Sequence, residues 1–446
     1  MHIQNTTLQT GKPIVLTFTD KPITAWGGLS LLAGFAKSIQ LPEHLNAFLP
    51  FHQTSPNAIN QSDIFMAFMN SVLTGARRFA HMEAIRHDIV IKELFGMKRS
   101  PSDLTVMRFF KQFTHGHIER FFSPLRAWQL EMMIPPGDYT LDMDSSVFER
   151  YGQQEGAVLG YNPKKHRRPS HHPIFAVLAE NYALVNAWLR SGNTGSGNGA
   201  VHFLQEALGA LPPGAKVKTV RADSGFDSGN LFDFLEGNHF NYAITARFTS
   251  GVKQTIYAIP NWRQIDDDIS VSEAIFKAKS WSKGRRLIVI RQRNRKKDFV
   301  RGRELFNDPS YLYQGIFTSL SDLPEEVWRF YRDRANLENR IRELKWDYGI
   351  DGFCMKKFYA TEAAFRTVCF TYNLMQQFQK KLGFKLKRTL GMIRTMVLSC
   401  GAELGRDGHK LILRLSVSGK RRELFENYAN TIFSWEKGNC VSVESG

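Results

Sequence analysis

Apolar residues recur at helical spacing over much of the first 135 residues, through 23–39, 62–73, 79–94, 103–113 and 117–133. Ser100-Pro101-Ser102-Asp103 supplies capping side chains and a proline suited to a helix start. The short helices flanking it form either a helix-turn-helix or part of an ordinary helical bundle. Pro135-Pro136-Gly137 then breaks the pattern. Beyond it the period changes to two: Leu141 and Met143 fall on one strand face, Asp142 and Asp144 on the other. Strands are predicted around 173–179 and 183–189, a helix over 201–211, and a strand over 216–223 that ends in Asp223, with Gly225 as the turn residue. A helix around 231–236 and a strand around 242–246 complete the run. From 249 to 320 the helical signal vanishes, and short alternating runs at 255–259, 269–276, 286–290 and 311–318 predict a β-rich insertion. Pro324 opens a long helix, and a second helix is predicted over 363–382.

On one continuous helix at about 100° per residue, the polar side chains around Glu338 do not scatter. Tyr331 and Lys345 lie seven positions to either side of it, and Arg334 and Arg342 four. Phe330, Leu337, Ile341 and Leu344 make a separate apolar stripe. Salt bridges on a solvated face would account for such a stripe of charges. A single acid among four donors is equally suited to hold a metal-bound phosphate.

The order of three strands, helix, strand, helix, strand is that of an RNase H-like fold. The chain is thus expected to be α/β. A mostly α-helical N-terminal DNA-binding domain (1–135) precedes an RNase H-like core in two parts (136–248 and 321–383). A β-rich insertion (249–320) separates those parts before the glutamate helix, and a C-terminal region (384–446) serves dimerisation or DNA contact.

Charge narrows the function. A formal net charge of +17 and a pI near 9.7 point to a polyanionic partner. No apolar run reaches the length of a membrane span and no signal-peptide core is evident, so a cytoplasmic, nucleoid-associated protein is expected. Cys354, Cys369, Cys400 and Cys440 show no metal-ligand spacing. The loop from Tyr161 to His172 is dense in basic groups, including Lys164, Lys165, Arg167 and Arg168. A second basic run extends from Arg291 to Arg303.

Phosphodiester cleavage and transfer need an activated oxygen nucleophile and a stabilised leaving oxygen, which two hard cations can supply. Mg²⁺ takes oxygen ligands and keeps several waters, so two or three converging carboxylates suffice. Asp144, Asp223 and Glu338 come from well-separated elements and would share such a site.

Tyr331-(2)-Arg334-(3)-Glu338-(6)-Lys345 resembles the Y-(2)-R-(3)-E-(6)-K signature of bacterial insertion-sequence transposases of the DDE superfamily. Leu141-Asp-Met-Asp144-Ser-Ser and Arg221-Ala-Asp223-Ser-Gly-Phe226 resemble the family's first two blocks, and the three occur in order between about 138 and 350. The resemblance implies that Asp144, Asp223 and Glu338 are catalytic and hold two Mg²⁺ ions, with Mn²⁺ able to substitute. Tyr331, Arg334 and Lys345 would grip the DNA end. It also implies binding of terminal inverted repeats, cleavage at the element ends, joining of 3′-hydroxyls to target DNA, and a homodimer in the synaptic complex. An RNase H-like nuclease or resolvase without strand transfer, and an inactive DNA-binding regulator, are the competing readings. Asp142 lies about 6.6 Å from Asp144 along the strand and is the alternative first ligand.

Secondary candidates carry blander expectations. Glu343 is expected on the surface and Asp227 as a helix cap. His166, His171 and His172 are expected to touch phosphate or solvent, and Trp262 and Trp281 to be core residues or to stack on an unpaired base.

Overall fold

The computed structural model describes residues 6–7, 13–14, 17–51, 55–162, 165–295 and 310–434. Its centre is a mixed nine-stranded sheet. In chain order the strands are β1 (Gly137–Ser145), β2 (Ile174–Leu178), β3 (Leu184–Trp188), β4 (Ala215–Ala222), β5 (Asn241–Thr245), β6 (Arg263–Asp266), β7 (Ile269–Phe276), β8 (Arg285–Arg293) and β9 (Tyr311–Thr318). Across the sheet the order is β6-β7-β8-β9-β5-β4-β1-β2-β3. Only the β1–β4 and β4–β5 pairings are parallel. The run at 269–318 therefore extends the same sheet, because β9 pairs directly with β5.

Both faces are covered, which explains why β2 is apolar without alternation and buried throughout. On one face, helices α1 (Ala200–Gly209) and α2 (Gly229–Gly237) share a core with Leu141 and Met143 of β1. On the other face lie α3 (Pro324–Arg332), α4 (Ala335–Trp346) and α5 (Phe358–Lys381). Helix α5 is buried on nearly every side, since the N-terminal helices pack around it as well. It also closes the sheet edge: Asn373 accepts from Leu184 N and donates to Leu184 O, both at 2.9 Å. That satisfies backbone groups an edge strand would otherwise leave open. The C-terminal hairpin, Gly401–Asp407 with Lys410–Ser416, pairs with Ile23–Thr24, so the chain's end closes onto its N-terminal part.

Four expectations change. The strand predicted at 255–259 belongs to a helix, Ser250–Tyr257, started by Thr249, whose hydroxyl accepts from Val252 N. The continuous pattern at 23–39 begins as a strand, Ile23–Thr24, and becomes helical only at Leu29–Ser38. The 79–94 run divides into short helical pieces, Phe79–Met82, Glu83–Arg86 and Ile89–Leu94. Most important for the site, the single long helix breaks at Asp333-Arg334 into α3 and α4. Arg334 N bonds Tyr331 O and Leu337 N bonds Arg334 O, three-residue closures that reset the phase between the two halves.

Candidate active site

The site is built on the strand faces opposite the α1–α2 core. In the parallel β1–β4 register Asp142 lies beside Arg221, and the pair closes a bidentate ion bridge at 2.6 and 2.8 Å, wholly buried. Arg221 also donates to the Phe330 carbonyl and lies over the Phe330 ring, 4.7 Å from its centroid. One guanidinium thus fixes α3 against the sheet. Arg221 engages both carboxylate oxygens of Asp142, and the next acid on the same strand face is Asp144.

Asp144 sits at the end of β1, with Oδ1 accepting from Ser145 N at 2.7 Å and Oδ2 3.1 Å from Arg334 Nη2. Burial raises its pKa to about 7 against the pull of Arg334, and the neighbouring Asp223 and Glu338 add to the rise. Asp223 follows β4 directly. Its Oδ1 accepts from Gly225 N at 2.9 Å and caps the turn Ser224–Phe226. Gly225 has no room for a side chain: a Cβ there would lie 2.7 Å from Ser196.

Glu338, on the first turn of α4, is 64% exposed at its side chain and meets Arg334 Nη1 at 3.2 Å. Arg334 therefore joins the β1 carboxylate to the α4 carboxylate. Burial opposes its charge, but Asp144, Asp223 and Glu338 outweigh that and raise its pKa. Its Nε is buried and has no acceptor among the described residues.

The remaining donors do not form a single stripe, because the helix is broken. Tyr331 is buried, and its hydroxyl donates to the Ala222 carbonyl at 3.3 Å, one residue before Asp223. Lys345 Nζ reaches the Val147 carbonyl at 3.0 Å and lies 5.2 Å from the Phe148 ring centroid. Arg342 is exposed and bonds Asn339 at 2.8 Å. Lys165 pairs with Glu149 at 2.9 Å, Arg168 covers the Tyr151 ring at 4.6 Å, and Arg167 is exposed. Lys164, Lys296, Lys297 and Arg303 lie outside the described residues.

Asp223, Ser145, His172, Arg247 and Lys345 line a cleft of about 1560 Å³, to which the N-terminal helices contribute Arg77, Arg78 and His81. That exceeds the volume of a typical small-molecule site and suits a polymer. Among the described residues no three acidic, His or Cys side chains already stand in metal-holding geometry. The donor set nevertheless fits a hard cation. Asp144 and Asp223 end adjacent strands and repel each other, a repulsion that a bound cation would relieve.

Other sequence candidates resolve differently. His171 is buried: Nδ1 accepts from Arg150 Nε at 2.9 Å, so Nε2 carries the proton and donates to Glu155 O at 2.9 Å. His172 Nδ1 donates to Thr194 O at 2.6 Å, and His166 is exposed. Glu343 is not on the surface. It is buried, accepting from Leu390 N at 3.0 Å and Lys387 Nζ at 2.8 Å. Asp227 does not cap α2, which Ser228 does; it accepts from Arg247 N instead. Trp281 is a core residue among Phe232, Phe276 and Phe317, and Trp262 lies under Arg291 at 4.3 Å. Arg221 was not singled out from sequence. Its signal was its position two residues before Asp223 on a strand whose neighbour carries a second acid.

A family model described as "Transposase DDE domain group 1" matches residues 6–436. No curated protein matches. Among solved structures the chain is similar to a cryo-EM structure of the piggyBac transposase synaptic complex with hairpin DNA. Identity is 10% and the TM-score 0.47, over 95% of this chain and 87% of that one. The family match spans nearly the whole length, and this chain belongs to the DDE transposases of group 1, enzymes that use divalent metal ions.

Proposed function

We propose that this transposase binds the terminal inverted repeats of its element, cleaves at the element ends and joins the freed 3′-hydroxyls to target DNA. Asp144, Asp223 and Glu338 would be the catalytic carboxylates, on an RNase H-like core formed by β1–β5 and their helices. The observation that carries this reading is the position of Asp144 and Asp223 at adjacent parallel strand ends, with Arg334 linking Asp144 to Glu338. The sheet order β3-β2-β1-β4-β5 supports the core assignment.

Two bound Mg²⁺ ions, replaceable by Mn²⁺, would lower the pKa of an attacking water and offset charge on the leaving oxygen. The chain's own residues do the rest. Asp144, Asp223 and Glu338 hold the cations. Arg221 and Tyr331 position the strand ends, since the one locks Asp142 and α3 and the other holds the carbonyl before Asp223. Lys345, Arg342, Lys165, Arg167 and Arg168 contact DNA phosphates, and the buried Arg334 balances the carboxylates at the cut. In cleavage, water oxygen bonds to phosphorus as the bond to the 3′-oxygen breaks. In joining, that 3′-oxygen attacks a target phosphorus, releasing a target 3′-oxygen. Two ends acting together imply a homodimer on DNA.

The test uses DNA carrying the sequences that flank the gene, incubated with Mg²⁺ and wild-type or Glu338→Gln protein, with the breaks mapped. Cleavage at both element ends, lost in the variant, is expected. Cleavage without joining would make the protein a nuclease or resolvase. Binding without cleavage would make it a regulator.

A further inference from the structure

The end of β1 and the turn after β4 are braced by a loop that the chemistry above leaves unused. Residues 191–199, between β3 and α1, read Ser-Gly-Asn-Thr-Gly-Ser-Gly-Asn-Gly, four glycines in nine positions. Such a segment has much conformational freedom to lose, so its partners must impose its shape.

Arg190 imposes it. The side chain is buried, and its Nε donates to the His172 carbonyl at 3.0 Å. Its Nη1 is within bonding distance of three loop carbonyls: Asn198 at 3.0 Å, Gly195 at 3.2 Å and Ser196 at 3.3 Å. His172 holds a fourth, with Nδ1 donating to the Thr194 carbonyl at 2.6 Å. No carboxylate pairs with Arg190 among the described residues, and burial lowers its pKa to about 10. A buried guanidinium without a counter-charge is destabilising in itself. What its hydrogen bonds secure is the shape of this loop.

The loop in turn presents Ser196 to both strand ends. Ser196 Oγ is 2.8 Å from Ser145 Oγ. Gly225 approaches so closely that a Cβ there would lie 2.7 Å from the Ser196 side chain, and a Cβ on Gly197 would lie 3.1 Å from the Gly225 carbonyl oxygen. Ser145 and Gly225 are the residues whose N–H groups hold Oδ1 of Asp144 and Oδ1 of Asp223. One side chain therefore touches both residues that orient the strand-end carboxylates. Asp144 and Asp223 repel each other, and two acids kept close before a cation arrives need such outer support.

We propose that Arg190 and Ser196 are positioning residues that hold the Asp144 and Asp223 carboxylates in place for a divalent cation. Arg190 acts through the loop, and Ser196 acts through Ser145 and Gly225. The inference rests on the metal-dependent reading of the site.

The experiment compares Arg190→Met, Arg190→Lys and Ser196→Gly with wild type. It records Mn²⁺ affinity without DNA, from the free-ion signal in electron paramagnetic resonance, affinity for end DNA in EDTA, and the Mg²⁺ dependence of single-turnover cleavage. Arg190→Met and Ser196→Gly are expected to bind Mn²⁺ about tenfold more weakly. They should need correspondingly more Mg²⁺ for half-maximal cleavage, with DNA affinity unchanged. Arg190→Lys, which keeps a cationic donor, should fall between Arg190→Met and wild type. Circular dichroism melting reports the fold, and if Arg190→Met is too unstable to assay, Ser196→Gly at its half-buried loop position decides the matter. A lowered melting temperature with Mn²⁺ affinity within about twofold of wild type makes the loop purely structural and overturns the proposal. Normal Mn²⁺ binding by wild type without cleavage of any DNA sinks the transposase reading, and the variants' Mn²⁺ affinities still decide the positioning role. Wild type that binds no Mn²⁺ overturns both.

Discussion

The Arg334 guanidinium lies 3.1 Å from the Asp144 carboxylate and 3.2 Å from that of Glu338, bridging the two. It is also the residue at which the expected single helix breaks. The two facts are connected. Continuing α3 without a turn would carry position 334 along with the helix phase, whereas the three-residue closures at Asp333-Arg334 set the side chain down against β1. The consequence is electrostatic. Asp144 already has a pKa raised by burial to about 7, and Arg334 is the main influence lowering it. Removing the guanidinium pushes that pKa higher, so less of the carboxylate is ionised at neutral pH. A metal needs the ionised form. Arg334→Gln is therefore expected to require more Mg²⁺ for half-maximal cleavage, to shift the acid limb of the pH–rate profile upward, and to lower the rate by about 100-fold. Cleavage within threefold of wild type at equal Mg²⁺ would show that Arg334 does not tune this site.

Asp142 and Asp144 exchange roles under substitution. Asp142→Asn leaves Arg221 buried without its partner, which costs about 3–5 kcal/mol. Urea unfolding should report that loss, while Mn²⁺ titration of the folded protein should still show binding. Asp144→Asn should do the reverse, with metal binding and cleavage lost and stability little changed. Metal binding lost in Asp142→Asn at full stability would return Asp142 to the ligand set.

Much of the local structure around the candidate site is legible in the sequence. The two-residue alternation in β1 separated Leu141 and Met143 from both aspartates, and the turn after β4 marked Asp223. What the sequence hid depends on partners far along the chain. Glu343 reads as a solvated acid because Leu390 and Lys387, which bury it, are more than 40 residues away. The break at Asp333-Arg334 contains neither proline nor glycine, so local rules extend the helix straight through it. Tyr331 reads as a surface donor on the unbroken helix. In the broken one it points inward to Ala222. The β1–β4 register, which brings Arg221 beside Asp142, was likewise hidden.

His171 gives the protein a stability profile that can be measured without DNA. Burial, together with the neighbouring Arg150, lowers its pKa to about 4, so the folded protein keeps the ring neutral. The unfolded chain takes up a proton near pH 6.5. Because the unfolded state binds the proton more readily, stability is full above pH 6.5 and is lost as pH falls towards 4. The contribution over that window is about 3 kcal/mol, at about 1.4 kcal/mol per pH unit. Urea unfolding of His171→Asn at pH 7.5 and 5 should show a lower starting stability but a shallower acid dependence. Parallel pH curves for wild type and variant would exclude His171 as the source.

Tyr331 and Lys345 belong to one sequence signature, yet the structure gives them different surroundings, and their variants should separate. The Tyr331 hydroxyl is buried against the Ala222 carbonyl, so Tyr331→Phe removes one hydrogen bond beside Asp223 and nothing from the surface. That bond is worth about 1 kcal/mol, which allows a fall in cleavage rate of several-fold with DNA affinity unchanged. Lys345 lines the cleft. Lys345→Ala should weaken DNA binding similarly for specific and non-specific sequences and reduce the slope of log affinity against log salt by about one. Single-turnover cleavage at saturating protein then distinguishes the two: the lysine variant should recover most of its rate, and the phenylalanine variant should not. If Tyr331→Phe instead loses DNA affinity with the salt slope of a missing phosphate contact, its hydroxyl leaves Ala222 when DNA binds. The tyrosine would then be gripping the end, as the family resemblance implies.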